Sequence, residues 1–116
     1  MQFWKALDTL VSKFPIIVDR PIGSSHPKFA EIVYPLDYGY LEGTISGDKN
    51  GIDVWLGSLG NKIVTGIVVT IDLFKNDSEQ KILIGCTDEE MALIERFHNV
   101  NLQSAKLVVR SEIRHL

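Results

Sequence analysis

The stretch from Lys62 to Gly85 constrains the fold more than any other part of this chain. Lys62 to Phe74 is a long run rich in β-branched residues, Lys75-Asn76-Asp77-Ser78 reads as a turn, and Glu79 to Gly85 is a second apolar run. Two such runs around a polar turn predict a β-hairpin. Thr87-Asp-Glu-Glu90 follows at once. A Thr with a Glu three residues on satisfies the free amides of a helix start, so a helix is predicted through Met91, Leu93, Ile94 and Phe97, ending near Asn99. A hairpin feeding a capped helix excludes an all-helical chain.

The remaining segments extend this picture. Phe3, Leu7, Leu10 and Phe14 recur at helical spacing and predict an amphipathic helix stopped by Pro15, with Asp8, Ser12 and Lys13 towards its other face. Ile16-Ile17-Val18 predicts a short buried strand that runs into Asp19-Arg20-Pro21 and a polar loop from Gly23 to Pro27. Glu31 to Tyr34 is extended, because the residue before Pro35 is driven out of the helical region. Tyr38 to Ser46 predicts another strand. Lys49-Asn50-Gly51 predicts a turn, Ile52 to Leu56 a strand, and Leu107 to Val109 a last strand. Roughly five to seven short strands with two flanking helices give a mainly β, α+β class and point to a small, highly twisted β-barrel or sheet. The order helix–strands–helix–strand does not fit a doubly wound sheet.

With 116 residues, the chain is enough for one domain with one core, spanning residues 1–116. Hydrophobic residues make up 45% and charged residues 23%, the balance of a soluble globular protein. A net charge of -3 with no basic block argues against nucleic acid as a partner. No apolar run approaches membrane-spanning length, and the N-terminal residues lack the pattern of a signal peptide. The single cysteine, Cys86, has no internal disulfide partner and is expected as a small core residue. Together these features lead us to expect a cytoplasmic protein with no membrane partner.

One segment carries chemistry. Asp48, Asn50 and Asp53 stand around a glycine turn, downstream of Arg20, Tyr34 and Tyr38. Closely spaced carboxylates suit a small hard cation, magnesium first and manganese second. Arginine and tyrosine supply donors for a phosphate oxyanion. Taken without their surroundings, Asp48, Asn50 and Asp53 also read as a simple turn. Asp72 is a carboxylate within an apolar run and needs a partner or a metal. Neither a glycine-rich phosphate loop nor a Cys/His zinc spacing is present.

From Asp19 to Val54 the sequence resembles the soluble inorganic pyrophosphatases of family I. The resemblance rests on Tyr38-Gly39-Tyr40, followed by Asp48-Lys49-Asn50-Gly51-Ile52-Asp53-Val54 in place of the family's Asp-Gly-Asp-Pro-x-Asp-Val pattern. Weaker similarity continues from Gly66 to Gly85. The resemblance implies an oligonucleotide-binding-like barrel with helices packed on it. It also implies magnesium-dependent hydrolysis of pyrophosphate to two phosphates, and a homo-oligomer, as members commonly are. By the same resemblance Asp48, Asp53, Asp72 and Glu79 would hold metal, and Arg20, Tyr38 and Lys81 would bind phosphate oxygens. Asn50 stands where the family carries the aspartate that accepts a proton from the attacking water, with Asp48 and Asp53 as its catalytic neighbours. A carboxamide is no general base. The expectation is therefore a hydrolase of reduced or altered activity. The alternative is a catalytically weak relative that binds a phosphate-containing ligand or a protein partner.

Overall fold

The computed structural model describes residues 2–47 and 49–111. Helix α1 spans Phe3–Lys13 and is capped by the Gln2 side chain, which accepts from the Lys5 amide at 2.9 Å. Phe14 leaves the helix in an extended conformation ahead of Pro15. Strands β1 (Ile16–Arg20), β2 (Asp37–Leu41), β3 (Ile52–Leu56), β4 (Val64–Asp72) and β5 (Asp77–Ile84) follow, then α2 (Asp88–Phe97) and β6 (Gln103–Val109). The six strands form one sheet in the order β1-β2-β3-β5-β4-β6. Every pairing is antiparallel except β3 with β5. The α+β class thus holds. Among the described residues β1 and β6 end the sheet, so its twist stops short of a closed barrel.

Strand alternation gives the sheet two apolar faces. On one, Leu7 and Val11 of α1 pack against Leu41, Val54, Ile67, Ile82 and Ile84. On the other, Met91 and Ile94 of α2 pack with Tyr34, Trp55, Val68 and Leu83. The predicted hairpin is β4–β5, in register from Val64↔Ile84 to Asp72↔Asp77, with Asn76 taking the left-handed turn position. The predicted capping box is present: the Glu90 amide donates to the Thr87 hydroxyl at 3.1 Å, and the Thr87 amide donates to Glu90 at 2.9 Å.

Several boundaries differ from the sequence expectation. The strand expected from Tyr38 to Ser46 stops at Leu41, because Gly43 (φ 94°) turns the chain and the Thr44 hydroxyl donates to the Leu41 carbonyl. Strand β6 begins at Gln103 rather than Leu107, since the antiparallel ladder with β4 continues to Asp72↔Gln103. Strand β1, expected to be buried, is an edge strand with Val18 exposed. Asp8, expected on the solvent side of α1, turns inward to Arg110, whose Nη1 donates to both its oxygens at 3.0 and 2.8 Å. No helix among the described residues is long and apolar enough to cross a membrane.

Gly39 is required where β1 crosses β2. A Cβ there would sit 1.8 Å from the Ile17 carbonyl oxygen, a backbone atom that cannot move aside without breaking the pairing. Urea unfolding of two variants should therefore separate a lost cap from a backbone collision. Thr87→Ala is expected to cost about 1 kcal/mol, and Gly39→Ala clearly more. Equal losses would contradict this account of β1.

Candidate active site

The pairing of three strands brings the predicted polar residues together. Tyr38 lies opposite Trp55 and Tyr40 opposite Asp53. The parallel β3–β5 ladder sets Val54 against Ile82, which places Asp53 and Lys81 as neighbours on the α2-facing side. There the Tyr38 hydroxyl donates to Asp53 Oδ2 at 2.6 Å. Lys81 Nζ donates to the same oxygen at 2.9 Å, to the Tyr38 oxygen at 3.0 Å and to Glu79 Oε2 at 3.3 Å. Lys81 is only 7% exposed. Burial alone would strip its proton, but Tyr38 and Asp53 outweigh burial and hold the ammonium charged. Burial also pushes the Tyr38 hydroxyl well above its ordinary value, so it remains a protonated donor.

A second chain of polar groups runs beside this cluster. The Trp55 indole N–H donates to His98 Nε2 at 3.1 Å, and His98 Nδ1 meets Gln103 Oε1 at 2.8 Å. Because Nε2 accepts, the proton resides on Nδ1 and is donated to Gln103. Gln103 Nε2 then donates to Asp72 Oδ2 at 3.4 Å. Burial is the main cause that holds the His98 imidazole down to about 4. Asp72 Oδ1 accepts from the Phe74 and Lys75 amides, which hold its carboxyl below the usual range, with Lys75 the larger contributor.

Lys81, Tyr38, Arg20, Asp72 and His98 all line one cavity of about 920 Å³. Glu79 lines a separate cavity of about 290 Å³, beside Ser46 and Gly47. The structure thus joins Tyr38, Asp53, Glu79 and Lys81 in one bonded group, and Arg20 and Asp72 line the same cavity as Lys81 and Tyr38. Asn50 lines neither cavity; its carbonyl accepts from the Ser46 amide and hydroxyl in the exposed β2–β3 connection. Asp48, expected as both ligand and catalytic neighbour, lies outside the described residues.

Among the described residues, no three His, Cys, Asp or Glu side chains come together to hold a metal ion. Asp53 and Glu79 are two hard oxygen donors that share a lysine ammonium, and Asp72 is committed to the β4–β5 turn. This donor set does not make a closed cage for a resident metal.

Sequence reasoning missed His98, Gln103 and Trp55 as one unit. Trp55 and His98 are 43 residues apart, and no local spacing links them. It also placed His26 in a surface loop, whereas its ring stacks over Tyr34 with centroids 6.5 Å apart and lines the larger cavity.

The structure is similar to several bacterial inorganic pyrophosphatases. The enzyme from Neisseria gonorrhoeae superposes with a TM-score of 0.65 at 15% identity, covering 86% of this chain and 84% of the other. That from Helicobacter pylori gives 0.56 at 12% identity, covering 81% of each chain. That from Coxiella burnetii gives 0.52 at 16%, covering 81% and 82%. The chain has their fold. At this identity the likeness is one of fold alone. No protein-family model matches the sequence, and no curated protein does.

The buried neutral His98 makes stability depend on pH. Its folded value of about 4 lies below the ordinary histidine value of about 6.5. Between these values the unfolded chain binds the proton and the folded chain does not. Stability is therefore full above about pH 6.5 and falls as the pH drops towards 4, by on the order of 2–3 kcal/mol. Urea unfolding of wild type and His98→Gln at pH 7 and pH 4.5 tests this. The variant should lose less on acidification, and identical losses would refute the assignment.

Proposed function

We propose that this chain hydrolyses pyrophosphate, or a related small phosphoanhydride, taken as its magnesium complex in the larger cavity. The observation that carries this reading is the desolvated Lys81 ammonium, held by Tyr38, Asp53 and Glu79 and lining the same cavity as Arg20. A charge kept out of water acts on an incoming phosphate oxygen far more strongly than a surface lysine does. Arg20, Tyr38 and Lys81 bind phosphate oxygens in this reading. Asp53, bonded to Lys81, and Asp72, which lines the cavity, would hold the magnesium that accompanies the substrate, with Asp48 and Glu79 as further carboxylates. Magnesium supplies charge neutralisation and a more acidic bound water when the complex is in place. The fold shared with bacterial pyrophosphatases adds support to the reaction class.

Asn50 favours a second reading, a phosphate-binding protein with weak turnover. An amide does not take a proton from water, and Asn50 lies on the exposed connection rather than at the cavity wall. The two readings separate in one experiment: phosphate release from pyrophosphate with and without magnesium, beside calorimetric binding. The hydrolase reading expects metal-dependent release that is abolished in Asp53→Ala and rises about tenfold or more in Asn50→Asp, the scale on which general bases contribute. Binding without release in wild type and in Asn50→Asp would leave only the binding role.

A further inference from the structure

The larger cavity is shaped for more than two phosphoryl groups. Its volume of about 920 Å³ is near the top of the range of about 300–1,000 Å³ that encloses drug-sized molecules. Lys81 and Arg20 mark one part of its wall. The rest is built differently. Two separate loops each supply a lysine beside a phenylalanine, Lys28-Phe29 and Phe74-Lys75, and all four residues line the cavity. Phe29 is 52% exposed and Phe74 is 82% exposed, so neither ring is there to fill the core. His26 adds a third ring, 5.3 Å from Phe29 and stacked over Tyr34.

An inorganic diphosphate offers nothing for these rings to contact. An apolar wall next to a cationic one suits a ligand with the same two halves. Aromatic faces bind flat heteroaromatic rings by stacking, with little demand on the identity of the base. We propose that the cavity takes an organic diphosphate, specifically a nucleoside diphosphate, with its phosphates at Lys81 and Arg20 and its base against Phe29 and Phe74. This inference rests on the phosphoanhydride reading of the same site and names the class of molecule within it. The exposed Lys28 and Lys75 add positive charge to the cavity lining, which with Arg20 and Lys81 outnumbers the carboxylates of Glu31 and Asp72 there.

A matched pair of non-hydrolysable probes tests the proposal by calorimetry with magnesium present: methylenediphosphonate, which represents pyrophosphate, and α,β-methylene-ADP. The nucleoside probe is expected to bind about tenfold tighter. Phe29→Ala and Phe74→Ala should each weaken that probe about five- to tenfold and leave methylenediphosphonate within about twofold. Lys81→Met should weaken both. Equal affinity for the two probes, or phenylalanine variants that change neither or both alike, would overturn the nucleoside inference and leave the pyrophosphate reading standing. Binding of neither probe would overturn both.

Discussion

The charge on Lys81 organises the rest of the molecule. A lysine on a strand covered by a helix is normally too costly to bury. Here three oxygens from three strands surround its ammonium, so that the cost is met by Tyr38, Asp53 and Glu79 acting together. The parallel β3–β5 pairing is what makes this work. An antiparallel neighbour at that place would shift the ladder and move Asp53 away from Lys81. The strand order is therefore tied directly to the position of one charged group.

That charge sits at the boundary of a core rather than within it. The same face of the sheet carries Trp55 and Leu83 close to α2, then Lys81 and Asp53, then Thr70 and Asp72 towards the open edge. Moving along it takes a side chain from apolar to charged surroundings within a few residues. Tyr38 and Trp55 bridge the two regimes, since each has an apolar ring and one polar atom, and both polar atoms are hydrogen-bonded. The opposite face, covered by α1, is apolar near β3, and its polar group among the described residues is the Asp8–Arg110 pair bonded to Val64. One face maintains the fold, and the other combines packing with a site.

Much of this was legible in the sequence, for a physical reason. The β4–β5 hairpin, α1 and α2 are set by local patterns: β-branched runs, a polar turn, helical spacing and a capping box. Tyr38, Asp53 and Lys81 were also recognisable, through the resemblance carried by Tyr38-Gly39-Tyr40 and the Asp48–Val54 segment and continued weakly over Gly66 to Gly85. What was hidden is long-range. The inward turn of Asp8 depends on Arg110 at the far end of the described chain, and the burial of His98 brings it against Trp55, 43 residues earlier. Pairings of that kind leave no trace in local spacing. The shortened β2 was hidden for a smaller reason: Gly43 takes a left-handed turn that the strand-like run from Tyr38 to Ser46 does not announce.

If the site hydrolyses a diphosphate, as proposed, Asp53 is the residue that would couple binding to chemistry. Its Oδ2 is held by Tyr38 and Lys81, so it is acceptor-rich but already engaged. In the proposed reading a diphosphate that draws Lys81 to itself would loosen that hold and make a carboxylate available as the substrate arrives. In the proposed hydrolase reading the exchange at Lys81 needs only charge, whereas bond cleavage needs a group that accepts a proton, which the Asn50 amide is not.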